Sequence, residues 1–70
     1  MELSARNQLK GTITSIKLGG VMAEVVVNIG GGNEVVSAIT RGSGEGLGLK
    51  EGMAVVAIIK STGVIIGKES

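Results

Sequence analysis

The sequence has no Phe, Trp or Tyr, no Cys and no His, and each absence removes a class of protein. Without rings, the 43% hydrophobic content is made of Val, Ile, Leu, Met and Ala. Such a core buries less area per residue, and nothing is present on which a base or sugar could stack. Without Cys there is no disulfide to staple the fold. With His missing as well, zinc and iron sites lose their usual ligands, and the common nucleophile–base pairs of hydrolases cannot be assembled. There is no apolar run of 18 residues, so no membrane span is expected, and Arg6 and Lys10 are followed by a strand pattern rather than by a signal-peptide core. The charges nearly cancel, at +1 from seven basic and six acidic residues. A broad field that would hold a polyanion is therefore lacking, which argues against a nucleic-acid partner. A cytoplasmic, non-enzymatic protein is the expectation from these absences.

Seventy residues make one domain, 1–70. A chain this short buries only about 60% of its unfolded surface, which leaves a single core marginal. With disulfides and metals set aside, self-association is the remaining staple.

Hydrophobic periodicity reads as strands. A first strand is expected from Arg6 to Leu18, with Leu9, Gly11 and Ile13 on one parity and Ile16 and Leu18 on the other. That phase change predicts a bulge near Thr14-Ser15 and a sharp bend. Gly19-Gly20 is expected to turn through the positive φ that glycine tolerates. In the second strand Val21, Ala23, Val25, Val27 and Ile29 alternate with Met22, Glu24, Val26 and Asn28. Gly30-Gly31-Gly32-Asn33 is a hairpin turn rather than a phosphate loop, because β-branched residues follow it instead of a helix and a Lys-Ser/Thr pair. A third strand runs from Glu34 to Thr40. The stretch Arg41–Gly52 predicts one helical turn or a loop, with Ser43 as its cap and Leu47 and Leu49 tucked against the sheet. Met53–Lys60 and Val64-Ile65-Ile66 read as fourth and fifth strands, apolar on both faces. The second apolar face needs a cover, for which another copy of the same chain is expected. The pattern is all-β, a five-stranded OB-like Greek-key barrel with a short helix or loop between strands 3 and 4; an SH3-like barrel remains open on pattern alone.

Polar chemistry is concentrated in two places. Ser4-Ala5-Arg6-Asn7-Gln8-Leu9-Lys10-Gly11 holds a guanidinium, an ammonium, a hydroxyl and two carboxamides with no acid among them, and Lys60-Ser61-Thr62 is a smaller matching cluster. Donors without carboxylates suit an oxyanion, which can only accept hydrogen bonds. Glu24, Glu34, Glu45 and Glu51 lie apart, with no paired-carboxylate arrangement for acid–base work.

The first cluster, together with Ile39-Thr40, Leu47-Gly48-Leu49-Lys50-Glu51-Gly52 and Ile58-Ile59-Lys60-Ser61-Thr62, closely resembles the molbindins, the small molybdenum-pterin-binding or Mop proteins. The resemblance extends over essentially the whole chain in order and spacing. It implies an OB-like subunit forming a hexamer, a trimer of dimers, that stores molybdate or tungstate at subunit interfaces in the cytoplasm. The same module is found at the end of molybdate-responsive regulators and of ABC-transporter ATPases. Carried over by position, the oxyanion contacts fall on Ser4, Arg6, Lys60 and Ser61 of one subunit, with Thr40 and Ser43 from its neighbour and Asn7 and Thr62 in support. A second class of site, lined by backbone, has Gly19, Gly20 and Val21 as its candidate. Gly44 and Gly46 stand where the family has good helix formers, which bears on the order of Thr40 and Ser43. No organic cofactor is expected, since no aromatic slot for a pterin exists.

Read without the resemblance, Arg6 and Lys60 are better accounted for as solvated strand-end charges, and it is the motif match that reverses this. Two other functions stay in view. One is a structural or interaction module related to the regulator domains that assembles without ligand; the other is a nucleic-acid-binding OB domain, disfavoured by the missing rings.

Overall fold

The structure, a computed structural model, describes residues 1–69. In chain order it contains β1 (Asn7–Leu18), β2 (Met22–Gly30), β3 (Asn33–Thr40), α1 (Arg41–Gly46) and β4 (Ala54–Ile59), followed by a 3-10 turn at Ser61–Gly63. The strands form one curled antiparallel sheet in the order β3-β2-β1-β4.

β1 pairs with two neighbours in turn. Its first half, Asn7–Thr12, is laddered to β4, and Thr12–Leu18 is laddered to β2. The expected bulge lies just past the handover, where the register steps between Ile13 and Ser15. The extra residue lets Ile13 and Ile16, of opposite parity, both face inward, and it bends the strand around the core. Gly11 allows the close approach at the same place. A Cβ there would lie 2.5 Å from the Asn28 carbonyl oxygen and 2.7 Å from Val27 Cγ1.

The β2–β3 connection is the hairpin turn read from the glycine run. Gly30, Gly31 and Gly32 all have positive φ, and the Asn28 side-chain oxygen accepts from the Gly30 amide at 2.8 Å. The β1–β2 connection departs from expectation, since neither Gly19 nor Gly20 adopts positive φ. Its shape is held by hydrogen bonds instead. The Gly19 amide donates to the Met22 carbonyl at 2.8 Å and the Arg41 amide to the Val21 carbonyl at 2.7 Å.

α1 is a short helix capped by Thr40 rather than Ser43, because β3 runs up to Thr40 and places Ser43 inside the first turn. Gly44 and Gly46 do not abolish it, since both ends are satisfied. Thr40 Oγ1 accepts from the Ser43 amide at 3.1 Å. At the other end Leu49 N–H bonds the Gly44 carbonyl at 3.1 Å and Gly48 N–H the Glu45 carbonyl at 3.0 Å. With Gly48 at φ 65°, this is a Schellman stop. Leu49 then packs on the core as expected, whereas Leu47 stays 69% exposed.

The core is thin. Ile13, Ala23, Val25 and Val27 are its buried residues, ringed by half-buried Ile16, Ile29, Ile39, Leu49 and Val55. Val21, assigned to the inward face from its parity, precedes the first residue of β2 and is exposed. The expected fifth strand is not formed. Four strands rather than five make the sheet, and Val64-Ile65-Ile66 leave the 3-10 turn unpaired, with Ile65 93% and Ile66 86% exposed.

Candidate functional site

The two polar clusters lie at opposite ends of the sequence, and the β1–β4 ladder joins them. Its last pair is Asn7↔Ile59, so Arg6 and Lys60, the next residue on each strand, emerge at the same end of the sheet. Ser4 follows on the lead-in side and Ser61 and Thr62 on the turn side. Two local contacts shape this end. Gln8 Nε2 donates to the Ala5 carbonyl at 2.7 Å, and the Gln8 amide donates to the Arg6 carbonyl at 3.1 Å, folding the lead-in back on the strand that carries it. On the other side, Gly63 N–H bonds the Lys60 carbonyl at 2.8 Å and closes the turn that presents Ser61 and Thr62.

Ser4, Arg6, Asn7, Lys60, Ser61 and Thr62 are all exposed. Among the described residues neither Arg6 nor Lys60 forms an ion pair; the one present, Arg41 to Glu45 at 2.7 Å, lies elsewhere. Like charges that leave adjacent strands at one end repel, and among the described residues no ion pair offsets them. The arrangement is a set of donors with unspent capacity, open to solvent on one side. Arg6 and Lys60 can only donate, and the hydroxyls of Ser4 and Ser61 can donate beside them, so the set suits an anion.

Thr40 and Ser43 do not join this cluster. Thr40 pairs with Met22 at the far end of β3. That is level with the end of β1 near Leu18, the opposite end of the strand from Asn7. There Thr40 Oγ1 donates to Ser43 Oγ at 2.7 Å while accepting from the Ser43 amide, so the hydroxyls form a fixed pair despite the glycines that follow. The Gly19-Gly20-Val21 turn is their neighbour. Its carbonyls at Gly19 and Val21 are engaged by Arg41, through Nη1 at 3.2 Å and the backbone amide respectively.

Each protomer thus carries a cationic, hydroxyl-bearing end and a hydroxyl-and-backbone end. Sequence reasoning missed two residues that hold them. Gln8 anchors the lead-in bearing Arg6. Arg41, named from the sequence only as the first residue of the helical or loop stretch, ties α1 to the β1–β2 turn. The i,i+4 spacing to Glu45 was the available signal for Arg41, and Gln8 had none.

Known proteins resemble this chain over most of its length. The TOBE domain family matches residues 3–66. The chain is 53% identical over 66 residues to molybdenum-pterin-binding protein 1 of Clostridium pasteurianum, covering 94% of this chain and 97% of that one. MopII of the same organism superposes with a TM-score of 0.90 at 51% identity, covering 96% of this chain and all of its own. The cytoplasmic molybdate-binding protein ModG, solved with molybdate bound, superposes with a TM-score of 0.82 at 44% identity, covering 87% of this chain and 43% of its own.

Proposed function

We propose, on the premise that this chain belongs to the TOBE-domain family and to its molybdenum-pterin-binding (Mop) members, that it binds molybdate or tungstate and stores it in the cytoplasm. The observation that carries this reading is the Asn7↔Ile59 register. It sets Arg6 and Lys60 at one end of the sheet with no in-chain counter-ion among the described residues.

A tetrahedral dianion presents four oxygens in different directions, so donors must converge from several segments. Arg6 and Lys60 offset its charge. Ser4 and Ser61 orient it, with Asn7 and Thr62 in support. These side chains are exposed in the protomer, where screening leaves each contact weak. A second copy supplies the missing cover. Its Thr40 and Ser43, far from Lys60 within one chain, complete the shell across an interface, in a homo-oligomer read as a hexamer, a trimer of dimers. Charge-assisted bonds contribute about 1.5–3 kcal/mol each, so four near the upper end sum to about 12 kcal/mol, enough for micromolar affinity after ordering costs. A second class of site uses the Gly19-Gly20-Val21 turn. No reaction is assigned, in keeping with relatives named for binding.

Native mass spectrometry with and without molybdate tests the reading, because subunit number and bound ions appear in one spectrum. The expected result is an assembly of several protomers that gains oxyanions, exchanges them for tungstate and resists the smaller sulfate. A well-assembled sample that takes up neither oxyanion overturns the storage function in favour of a structural module. A salt-sensitive shift with single-stranded DNA would favour the nucleic-acid reading.

A further inference from the structure

Half of α1 is glycine. Gly42, Gly44 and Gly46 alternate with Arg41, Ser43 and Glu45, no residue of the helix is buried, and so short a glycine-rich helix does not persist in water unsupported. A Cβ added at Gly42 or Gly46 would meet nothing within 4 Å outside the helix, so these positions offer no packing to hold it. Yet the element carries Ser43 and is capped by Thr40, the two hydroxyls assigned above to the oxyanion of a neighbouring copy. What they can reach depends on how α1 is set against the sheet.

Arg41 ties the helix down at its start. The β2–β3 ladder ends at Met22↔Thr40, and the Arg41 amide adds one bond beyond it, to the Val21 carbonyl at 2.7 Å. The side chain then serves two acceptors. Nη1 donates to the Gly19 carbonyl at 3.2 Å, and Nε donates to Glu45 Oε1 at 2.7 Å, one turn further along α1. A planar guanidinium presents its N–H groups in fixed directions, so meeting both acceptors at once sets the helix against the β1–β2 turn in angle as well as in distance. Its charge is met by Glu45, whereas those of Arg6 and Lys60 are met by no ion pair among the described residues. Arg41 thus holds the chain together where the other two cations stand free for a ligand.

We infer that Arg41 is a positioning residue for oxyanion binding: through the Gly19 carbonyl and the Glu45 carboxylate it fixes how Thr40 and Ser43 are presented to the neighbouring copy, without touching the ligand itself. The inference rests on the interfacial oxyanion site proposed above. The hydroxyl pair has its own local bonds, at 2.7 and 3.1 Å, so it survives without Arg41. What Arg41 adds is the placement of that pair relative to the sheet. A solvent-exposed ion pair such as Arg41–Glu45 adds little to folding, whereas an outer group that orients a ligand contact is worth about 10-fold or more in affinity at metal sites. Loss of the side chain should therefore be felt in binding and not in the fold.

Titration calorimetry of the full chain with molybdate tests this. Arg41→Ala is expected to keep its circular dichroism, its assembled mass and its ligand-free unfolding midpoint, and to bind molybdate about 10-fold more weakly than wild type. Arg41→Lys retains the charge without the planar fork and should recover little of the loss. Ser43→Ala supplies the background that identifies the route, because alanine keeps the backbone amide that Thr40 caps. In that background the further loss from Arg41→Ala should shrink well below about 10-fold, since one of the two contacts it positions is already gone. Equal losses in both backgrounds overturn the inference, as does wild-type affinity in Arg41→Ala or Arg41→Lys. An Arg41→Ala chain that fails to fold or assemble also overturns it, since the side chain then serves the structure. The two readings fail separately. A wild-type chain that takes up no molybdate removes the oxyanion site and this role with it, whereas wild-type binding with an unaffected Arg41→Ala removes the role alone.

Discussion

Replacing Lys60 with alanine should have opposite effects on the empty and the loaded protein. In the empty protein Lys60 and Arg6 leave the β1–β4 ladder at the same end, with no ion pair to either among the described residues. Neighbouring like charges on a ladder cost about 0.2–1 kcal/mol, so Lys60→Ala should leave the empty protein unchanged or slightly more stable. In the loaded protein the same change removes a charge-assisted contact of about 1.5–3 kcal/mol, which weakens binding by about 10- to 150-fold. Arg6→Ala should behave in the same way.

Thermal unfolding with and without molybdate separates the two effects. At a ligand concentration 100 times the wild-type Kd, mass action adds about 2.7 kcal/mol to stability. If Kd rises about 100-fold, the same concentration adds only about 0.4 kcal/mol. At about 4–8 °C per kcal/mol for a small domain, a shift of more than about 10 °C should collapse to about 2 or 3 °C. The midpoint without ligand should not fall. A molybdate-induced shift of wild-type size in both variants would refute the assignment of these cations to the site. A large drop in the empty midpoint would mean that they serve the fold.

Three further substitutions probe the scaffold. Gly11→Ala drives a Cβ to 2.5 Å from the Asn28 backbone oxygen, which cannot swing aside, so urea unfolding should show a loss of about 1–3 kcal/mol. Thr40→Ala removes the acceptor of the Ser43 amide and should cost about 1 kcal/mol, with faster hydrogen exchange at Ser43 as the local readout; unchanged exchange there would discount the cap. Gly48→Ala forces a side chain into the left-handed region at φ 65° and should cost about 1–2 kcal/mol by the same unfolding assay, whereas a neutral result would mean that the stop of α1 is not needed.

What could be read from the sequence was whatever local geometry writes into residue order. The switch of parity between Ile13 and Ile16 placed the bulge, and the alternation from Ala23 to Val27 identified the inner face of β2. The helix cap was misplaced because Thr40 and Ser43 are both capable hydroxyls, and the choice depends on how far β3 stays paired with β2. Arg41 was passed over because one of its partners is a backbone carbonyl 22 residues away, which leaves no side-chain signature. The β1–β2 turn was assigned positive φ from its glycines, yet hydrogen bonds to neighbouring segments hold it in another shape. Composition drew attention to Arg6 and Lys60 separately, but the ladder that unites them is a long-range pairing, and family resemblance supplied the link before the structure did.

The absent fifth strand points to a more general limit. An apolar pattern on both faces of Val64–Ile66 states that the segment must be buried, but not which chain does the burying. Counting it as a fifth strand placed it in its own protomer's sheet, where the structure leaves it unpaired. Its core has four buried side chains, two open sheet edges and an exposed cationic end. Each deficiency is of a kind that a second copy can repair, and the Ser61–Gly63 turn lies between edge strand β4, with the Arg6–Lys60 end beside it, and Val64–Ile66. If copies pair through that turn, every contact that orders Lys60-Ser61-Thr62 for an anion also orders the strand that follows, so ligand and neighbour stabilise the same conformation. Linkage then makes the effect reciprocal: an anion that binds only the paired form tightens pairing by the factor by which pairing tightens the anion.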